Sequence, residues 1–186
     1  MTKWGGVKSL LLDRYMCAGG IEVGSRSLKG NPMPTTLSAA REEFIRHMYR
    51  DNVVADRPRL LAVLDAVIAW SLAHPDLVRF RPDENTKGVI RFEDIASNTV
   101  FWAASPRRSN VPLLQLLPGA SRFVSEETKS EAVARLNAHT REANPNGNMH
   151  IGFGALKSPV GRAAVLELME ELLDKMQPAN RVKVTA

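Results

Sequence analysis

Residues 77–105 read LVRFRPDENTKGVIRFEDIASNTVFWAAS, and this stretch decides the fold class. It contains three short segments, residues 77–81, 88–94 and 98–105, that are rich in β-branched and aromatic residues and are separated by turn-forming residues. Such segments are typical of β-strands joined by short turns. Residues 111–118, VPLLQLLP, follow between prolines, so we expect a β-meander of three or four strands.

A pair of helices is predicted before the meander. In residues 36–51 the apolar side chains recur at helical spacing and most arginines fall elsewhere. A second apolar run extends to His74, with Asp56 as its expected N-cap and Pro58 in its first turn. Because this second helix has little polar surface, we expect it to be buried on most sides.

Beyond the meander, the sequence predicts a helix, a strand and a final helix. Ser125 is the expected N-cap of the first of these helices. Residues 148–156, NMHIGFGAL, alternate as a half-buried strand does, and Ser158 with Pro159 then begins the last helix. The predicted class is therefore α+β: an N-terminal helical pair followed by a mostly antiparallel sheet, in the order β-β-β-β-α-β-α, with helices packed on one face.

Glycines and prolines are concentrated in residues 17–36, where we expect no regular structure. The predicted organisation is a flexible or oligomer-contacting arm over residues 1–35 and a single α+β domain over residues 36–186. Within that domain the helical pair occupies residues 36–75, and the sheet with its later helices occupies residues 76–178.

The chain has one cysteine, Cys17, and no apolar run of about 18 residues, the length that a membrane-spanning helix requires. Because we also recognise no secretory leader, we expect a soluble cytoplasmic protein without a membrane partner. The net charge is +5, and the excess falls in residues 1–34, which carry +3, and residues 76–122, which carry +2. This distribution favours a polyanionic partner such as nucleic acid. A moderately basic protein without such a partner is the alternative, because the basic residues form no run.

The candidate anion-binding residues are mostly arginines of the meander. If Ile90 and Phe92 face the core, Arg91 faces the opposite side of the sheet, and other basic and aromatic residues share that side when the strand registers agree. Guanidinium groups beside a ring suit a nucleic acid strand, because the charges hold phosphates and the ring stacks on bases. The predicted residues on that side are Arg79, Arg81, Arg91, Trp102 and His150. The candidate set also includes Arg107 and Arg108, in a predicted loop between Pro106 and Asn110, and Lys157. The alternative is that Trp102 belongs to the core and that the arginines pair with Glu93 and Asp94.

The sequence around Gly152 and Gly154 fits neither common phosphate-binding template. A Walker-type loop needs glycine immediately before its lysine, but Leu156 precedes Lys157, and that same lysine takes the place of the last glycine of a dinucleotide fingerprint. The four histidines have no metal-binding spacing and the chain has no cysteine pair, so we expect no metal or cofactor.

The leading hypothesis is a non-catalytic binding or accessory protein with nucleic acid or another polyanion as its partner. One alternative is a small enzyme with dispersed catalytic residues, for which His150 and Cys17 are the candidates. The other is a structural protein that forms homo-oligomers through residues 1–35.

Overall fold

The computed structural model describes residues 36–49, 56–82, 88–106, 112–139 and 149–177. Within these ranges the chain folds into helices and strands in the order α-α-β-β-β-β-α-β-α, which confirms the predicted α+β class. The helices are α1 (Leu37–Tyr49), α2 (Arg57–Leu72), α3 (Glu126–His139) and α4 (Pro159–Met176). The strands are β1 (Val78–Arg81), β2 (Ile90–Asp94), β3 (Thr99–Ser105), β4 (Leu113–Leu116) and β5 (Met149–Gly152).

The five strands form one antiparallel sheet whose spatial order, β1-β2-β3-β4-β5, is the order of the chain. Two rows of opposed side chains cross the sheet on its buried face, since directly opposed residues on neighbouring strands point to the same side. One row is Phe80, Phe92, Trp102, Leu116 and Met149, and the next is Ile90, Ala104, Leu114 and Ile151.

All four helices cover this one face of the sheet, which we call the core face. Their buried side chains and the two rows above form one apolar cluster, as predicted for helices packed on one side. The Phe44 ring of α1 stacks on Phe153 at 5.9 Å between centroids, and the Trp70 ring of α2 stacks on Phe101 at the same distance. Each large side chain that is fully buried in this way stabilises the fold by about 1.5–3 kcal/mol.

Local hydrogen bonds explain where the later helices begin. The Ser158 hydroxyl accepts a hydrogen bond from the Gly161 backbone N–H at 3.0 Å, and Pro159 occupies the first turn of α4. The Ser125 hydroxyl accepts from the Thr128 N–H at 3.2 Å and so caps α3. Both predicted N-caps are confirmed. Asp56 behaves differently, because its side chain makes no capping hydrogen bond at the start of α2.

No helix in the described ranges combines the length and the apolar character that crossing a membrane requires. The predicted arm over residues 1–35 lies outside the described residues.

Candidate functional site

A third row of opposed side chains crosses all five strands on the face turned away from the helices, which we call the outer face. From one edge of the sheet to the other it consists of Arg81, Arg91, Ala103, Gln115 and His150. Ala103 is 8% exposed yet stands apart from the apolar core cluster, which shows that the two faces are separate environments.

Four predicted site residues therefore share the outer face, as their alternation suggested: Arg79, Arg81, Arg91 and His150. The Arg79 and Arg81 side chains are 57% and 48% exposed, whereas Arg91 and His150 are partly buried. Opposed side chains on antiparallel strands have Cβ atoms about 4.5–5.5 Å apart, so the side chains of Arg81 and Arg91 leave the sheet next to each other.

The prediction that Trp102 belongs to this surface is wrong. Trp102 opposes Phe92 on the core face, is fully buried, and stacks on the Phe92 ring at 4.9 Å. Its indole N–H donates a hydrogen bond to the Ser71 hydroxyl of α2 at 2.8 Å, which satisfies the one polar atom of the side chain. The row that crosses the outer face thus contains no phenylalanine, tyrosine or tryptophan for a base to stack on.

Glu93 is the acidic residue of the outer face within the described ranges. Its carboxylate, only 6% exposed, accepts hydrogen bonds from Arg79 Nε at 2.6 Å and from Arg81 Nη1 at 3.1 Å. Arg79 also donates to the Asn98 side-chain oxygen at 2.9 Å. The alternative that arginines pair with an acidic residue of β2 is therefore correct for Glu93. Among the described residues, this part of the outer face therefore holds three arginines and one glutamate.

Asp94, which was also considered as a partner for the arginines, instead accepts a hydrogen bond within a turn. Its Oδ2 atom accepts a hydrogen bond from the Ser97 backbone N–H at 2.7 Å, within the turn between β2 and β3. This local bond stabilises the turn, as aspartate side chains often do. Asp94 is fully buried and belongs to the end of the β2–β3 hairpin, not to the exposed arginine cluster.

The outer face also contains a concave, partly open cavity of about 340 Å³, which we call the outer pocket. Its described walls combine apolar and polar side chains around the centre of the sheet. The apolar ones are Val89, Val100, Ala103, Leu113 and Pro118. The polar ones are Arg91, Ser105 and Gln115, and Gly119 contributes backbone.

The chain after β4 forms one wall of the outer pocket. Leu117 adopts a φ of 52°, a conformation that side chains other than glycine seldom take. From there the Leu117 N–H donates to the Phe101 carbonyl at 2.6 Å, and the Gly119 N–H donates to the Val100 carbonyl at 3.1 Å. A Cβ atom at Gly119 would lie 3.2 Å from the Val100 nitrogen, so glycine permits this close approach.

Lys157 lies outside the strands of the sheet, and its anion-binding role stays a prediction. It occupies a short 3₁₀ turn, Ala155–Lys157, and its ammonium donates a hydrogen bond to the Asp56 carboxylate at the start of α2. That hydrogen bond, together with the lysine charge, lowers the pKa of Asp56. Lys157 thus serves as an internal ion-pair partner beside α2.

Arg107, Arg108 and Cys17 lie outside the described residues, so their roles stay predictions. Within the described ranges, no three histidine, cysteine, aspartate or glutamate side chains lie close enough together to hold a metal ion.

Sequence reasoning missed Gln115 and Ser105 as candidate site residues. The available signal for Gln115 was strand alternation within VPLLQLLP. Its side chain points to the face of the sheet opposite to that of Leu114 and Leu116.

Comparison with protein-family models, with curated proteins and with solved structures gives no match to this chain.

Proposed function

We propose that this chain is a non-catalytic binding protein and that the outer face of its sheet binds nucleic acid or another polyanion. The observation that carries the proposal is the direct opposition of Arg81 and Arg91 on neighbouring strands. Like charges at opposed positions destabilise a sheet unless anionic groups lie near them, and the phosphates of a bound strand would add such groups. Arg79 lies on the same face, where Glu93 accepts hydrogen bonds from Arg79 and Arg81.

The expected mode of binding is electrostatic, through phosphate or sulfate groups of the partner. Since Trp102 lies in the core, base stacking has no part in the proposal. Contacts to phosphates hold a nucleic acid strand in place but carry no sequence information directly. Binding should therefore be insensitive to sequence and strongly dependent on salt.

The test is a fluorescence-anisotropy titration of labelled single-stranded and duplex DNA over a range of salt concentrations, with heparin as a second polyanion. If three arginines each neutralise one phosphate, the logarithm of the affinity for a single strand falls with a slope of about −2.1. A rise from about 50 to 200 mM salt then weakens binding about 20-fold. A flat salt dependence, or no signal with any of these polyanions at low salt, rejects the proposal.

Variants that remove positive charges distinguish binding at the outer face from nonspecific attraction of a polyanion to a basic protein. The variant Arg79→Gln/Arg81→Gln/Arg91→Gln should lose most of the affinity and most of the salt slope. The control variant Arg59→Gln/Arg122→Gln/Lys175→Gln removes the same charge from three exposed positions elsewhere and should bind nearly as well as the wild type. Equal losses in both variants would contradict a role for the outer face. A separate Arg107→Gln/Arg108→Gln variant tests the predicted loop contribution.

A further inference from the structure

We infer that His74 forms a pH-sensitive contact, which holds the end of α2 against α4 while the imidazole ring is positively charged. The residue follows Ala73, the C-cap of α2, and its side chain is 22% exposed. Both ring nitrogens lie against oxygen atoms. Nδ1 is 2.7 Å from the Trp70 carbonyl oxygen, and Nε2 is 3.0 Å from the Glu170 carboxylate of α4. We call these contacts the His74 junction, and the inference is independent of the polyanion proposal.

The chemistry of the two oxygens determines how many protons the ring must carry. A backbone carbonyl can only accept a hydrogen bond, and an ionised carboxylate can likewise only accept. A neutral imidazole has a single N–H, so one of its nitrogens would turn a lone pair toward an oxygen. The ring satisfies both contacts only as the imidazolium ion, in which both nitrogens donate. The geometry of the His74 junction therefore favours the charged ring.

The surroundings of the ring favour the same charge. The Trp70 indole lies beside the imidazole, with 4.6 Å between the ring centroids, and the face of an indole attracts a cation. The carboxyl end of a helix also attracts positive charge. Among the described residues, Glu170 is the charged group in contact with the ring, and its side chain is 54% exposed. Asp76 follows the ring along the chain, and Asp174 lies one turn beyond Glu170 on α4, so these neighbours are acidic as well.

Trp70 positions the carboxylate from the side of α2. Its indole N–H donates to the same Glu170 oxygen at 3.0 Å, and its ring stacks on Phe101 of β3. When the imidazolium loses one proton, we expect the other to stay on Nδ1, because the contact with the Trp70 carbonyl is shorter and lies within the last turn of α2. Nε2 then presents a lone pair to the carboxylate, and half-exposed Glu170 turns toward water.

Opening of the His74 junction affects the point where the chain leaves α2 for β1. The His74 carbonyl accepts hydrogen bonds from the Leu77 N–H at 3.1 Å and from the Val78 N–H at 3.0 Å. A less constrained His74 therefore loosens the first residue of β1 as well as the end of α2. The start of α2 responds to pH in the opposite direction. The hydrogen bond from Lys157 and the lysine charge lower the pKa of Asp56, so that contact is lost in acid.

The test is a double-mutant cycle of His74→Gln and Glu170→Gln, measured by urea unfolding at about pH 5.5 and about pH 9. The cycle gives the coupling, which is the part of the folding equilibrium constant that neither single variant explains alone. Histidines in general lose their charge between about pH 5 and 8, so the two conditions bracket that change. Because the folded state favours the charged ring, its stabilisation is present at the lower pH and lost at the higher one. We expect a coupling of about 2- to 5-fold at the lower pH and none at the higher.

A neighbouring ion pair on α4 provides the control. Arg135 of α3 donates a hydrogen bond to the Glu171 carboxylate, and arginine and exposed glutamate side chains keep their charges over this pH range. A cycle of Arg135→Gln and Glu171→Gln should therefore give the same coupling at both pH values. A coupling between His74 and Glu170 that is absent at the lower pH, or that is equal at both, overturns the inference.

Nuclear magnetic resonance of the wild-type protein gives a second readout. At about pH 9, the nitrogen-15 shifts of the His74 ring should show the remaining proton on Nδ1. A proton on Nε2 would keep the bond to Glu170 and break the bond to the Trp70 carbonyl, which overturns the inference. At about pH 5.5, the amides of Leu77 and Val78 should exchange faster in Glu170→Gln than in the wild type. Equal exchange in the two proteins contradicts the proposed effect on β1.

Discussion

Replacing Glu93 with glutamine should change stability and polyanion affinity in opposite directions. The carboxylate accepts from both Arg79 and Arg81, whereas an amide keeps one acceptor oxygen and turns a donor toward the second arginine. Losing a hydrogen bond to a charged group costs about 1.5–3 kcal/mol. Because both arginine side chains are about half exposed, water screens part of this loss, and we expect a net destabilisation of about 1–2 kcal/mol.

The same substitution should tighten the binding of a polyanion to the outer face. Removing one negative charge about 6 Å from a bound phosphate is worth about 0.7 kcal/mol in water, or about a threefold gain in affinity. Urea unfolding measures the first effect, and anisotropy titration of labelled single-stranded DNA at low salt measures the second. Glu131→Gln, an exposed position on α3, makes the same change in net charge and should alter neither quantity appreciably. If Glu93→Gln leaves affinity unchanged or weakens it while the protein stays folded, the reasoning about the outer face is refuted.

Three further substitutions test other parts of the structure by urea unfolding. Trp102→Phe removes the hydrogen bond to Ser71 and leaves a small cavity, so it should destabilise the fold by about 2 kcal/mol without changing DNA affinity. Gly88→Ala should cost about 2–4 kcal/mol, because Gly88 has a φ of +74° and a Cβ atom there would lie 2.9 Å from a histidine ring of α1. Lys157→Met should destabilise the protein at neutral pH but not in strong acid. The lowered pKa of Asp56 means that the ion pair stabilises the fold above the unfolded-state pKa, and that this contribution disappears as pH falls through the folded-state pKa.

Each of these expectations has a contrary result. Weaker DNA binding by folded Trp102→Phe would show that the indole contributes to DNA binding despite its burial. A Gly88→Ala protein as stable as the wild type would show that the backbone and the neighbouring side chain adjust without cost. A stability difference between Lys157→Met and the wild type that persists into strong acid would mean that the lysine acts through packing, not through the Asp56 charge.

The antiparallel meander of β1 to β4 was predictable from the sequence because its strand segments are short, apolar and bounded by turn residues. The face on which Trp102 lies was not predictable, because β3 contains a bulge. The register shifts between Phe92 and Glu93, so Phe101 is the extra residue on β3, and both Phe101 and Trp102 contact α2. A bulge breaks simple alternation, and its position depends on the partner strand as much as on the bulged one.

The outer pocket was beyond sequence reasoning for a related reason. It exists because Leu117 takes a left-handed conformation and directs the next residues back along β3, where Gly119 donates to Val100. No local pattern specifies that contact, since leucine seldom adopts positive φ. The pairing of Glu93 with two arginines likewise needed the register of β1 against β2, although the charges themselves were visible in the sequence.

The agreement between strand order and chain order has a consequence for how the protein folds. Three of the four pairs of neighbouring strands are joined by short connections. The fourth pair, β4 and β5, is joined by a connection of more than thirty residues that includes α3. Longer closures lose more chain entropy before they gain contacts, so we expect the pairing of Gln115 with His150 to form last and open first. Hydrogen exchange in the native state should then find the amides of β5 less protected than those of β2 and β3, and equal protection would argue that the sheet assembles in one step.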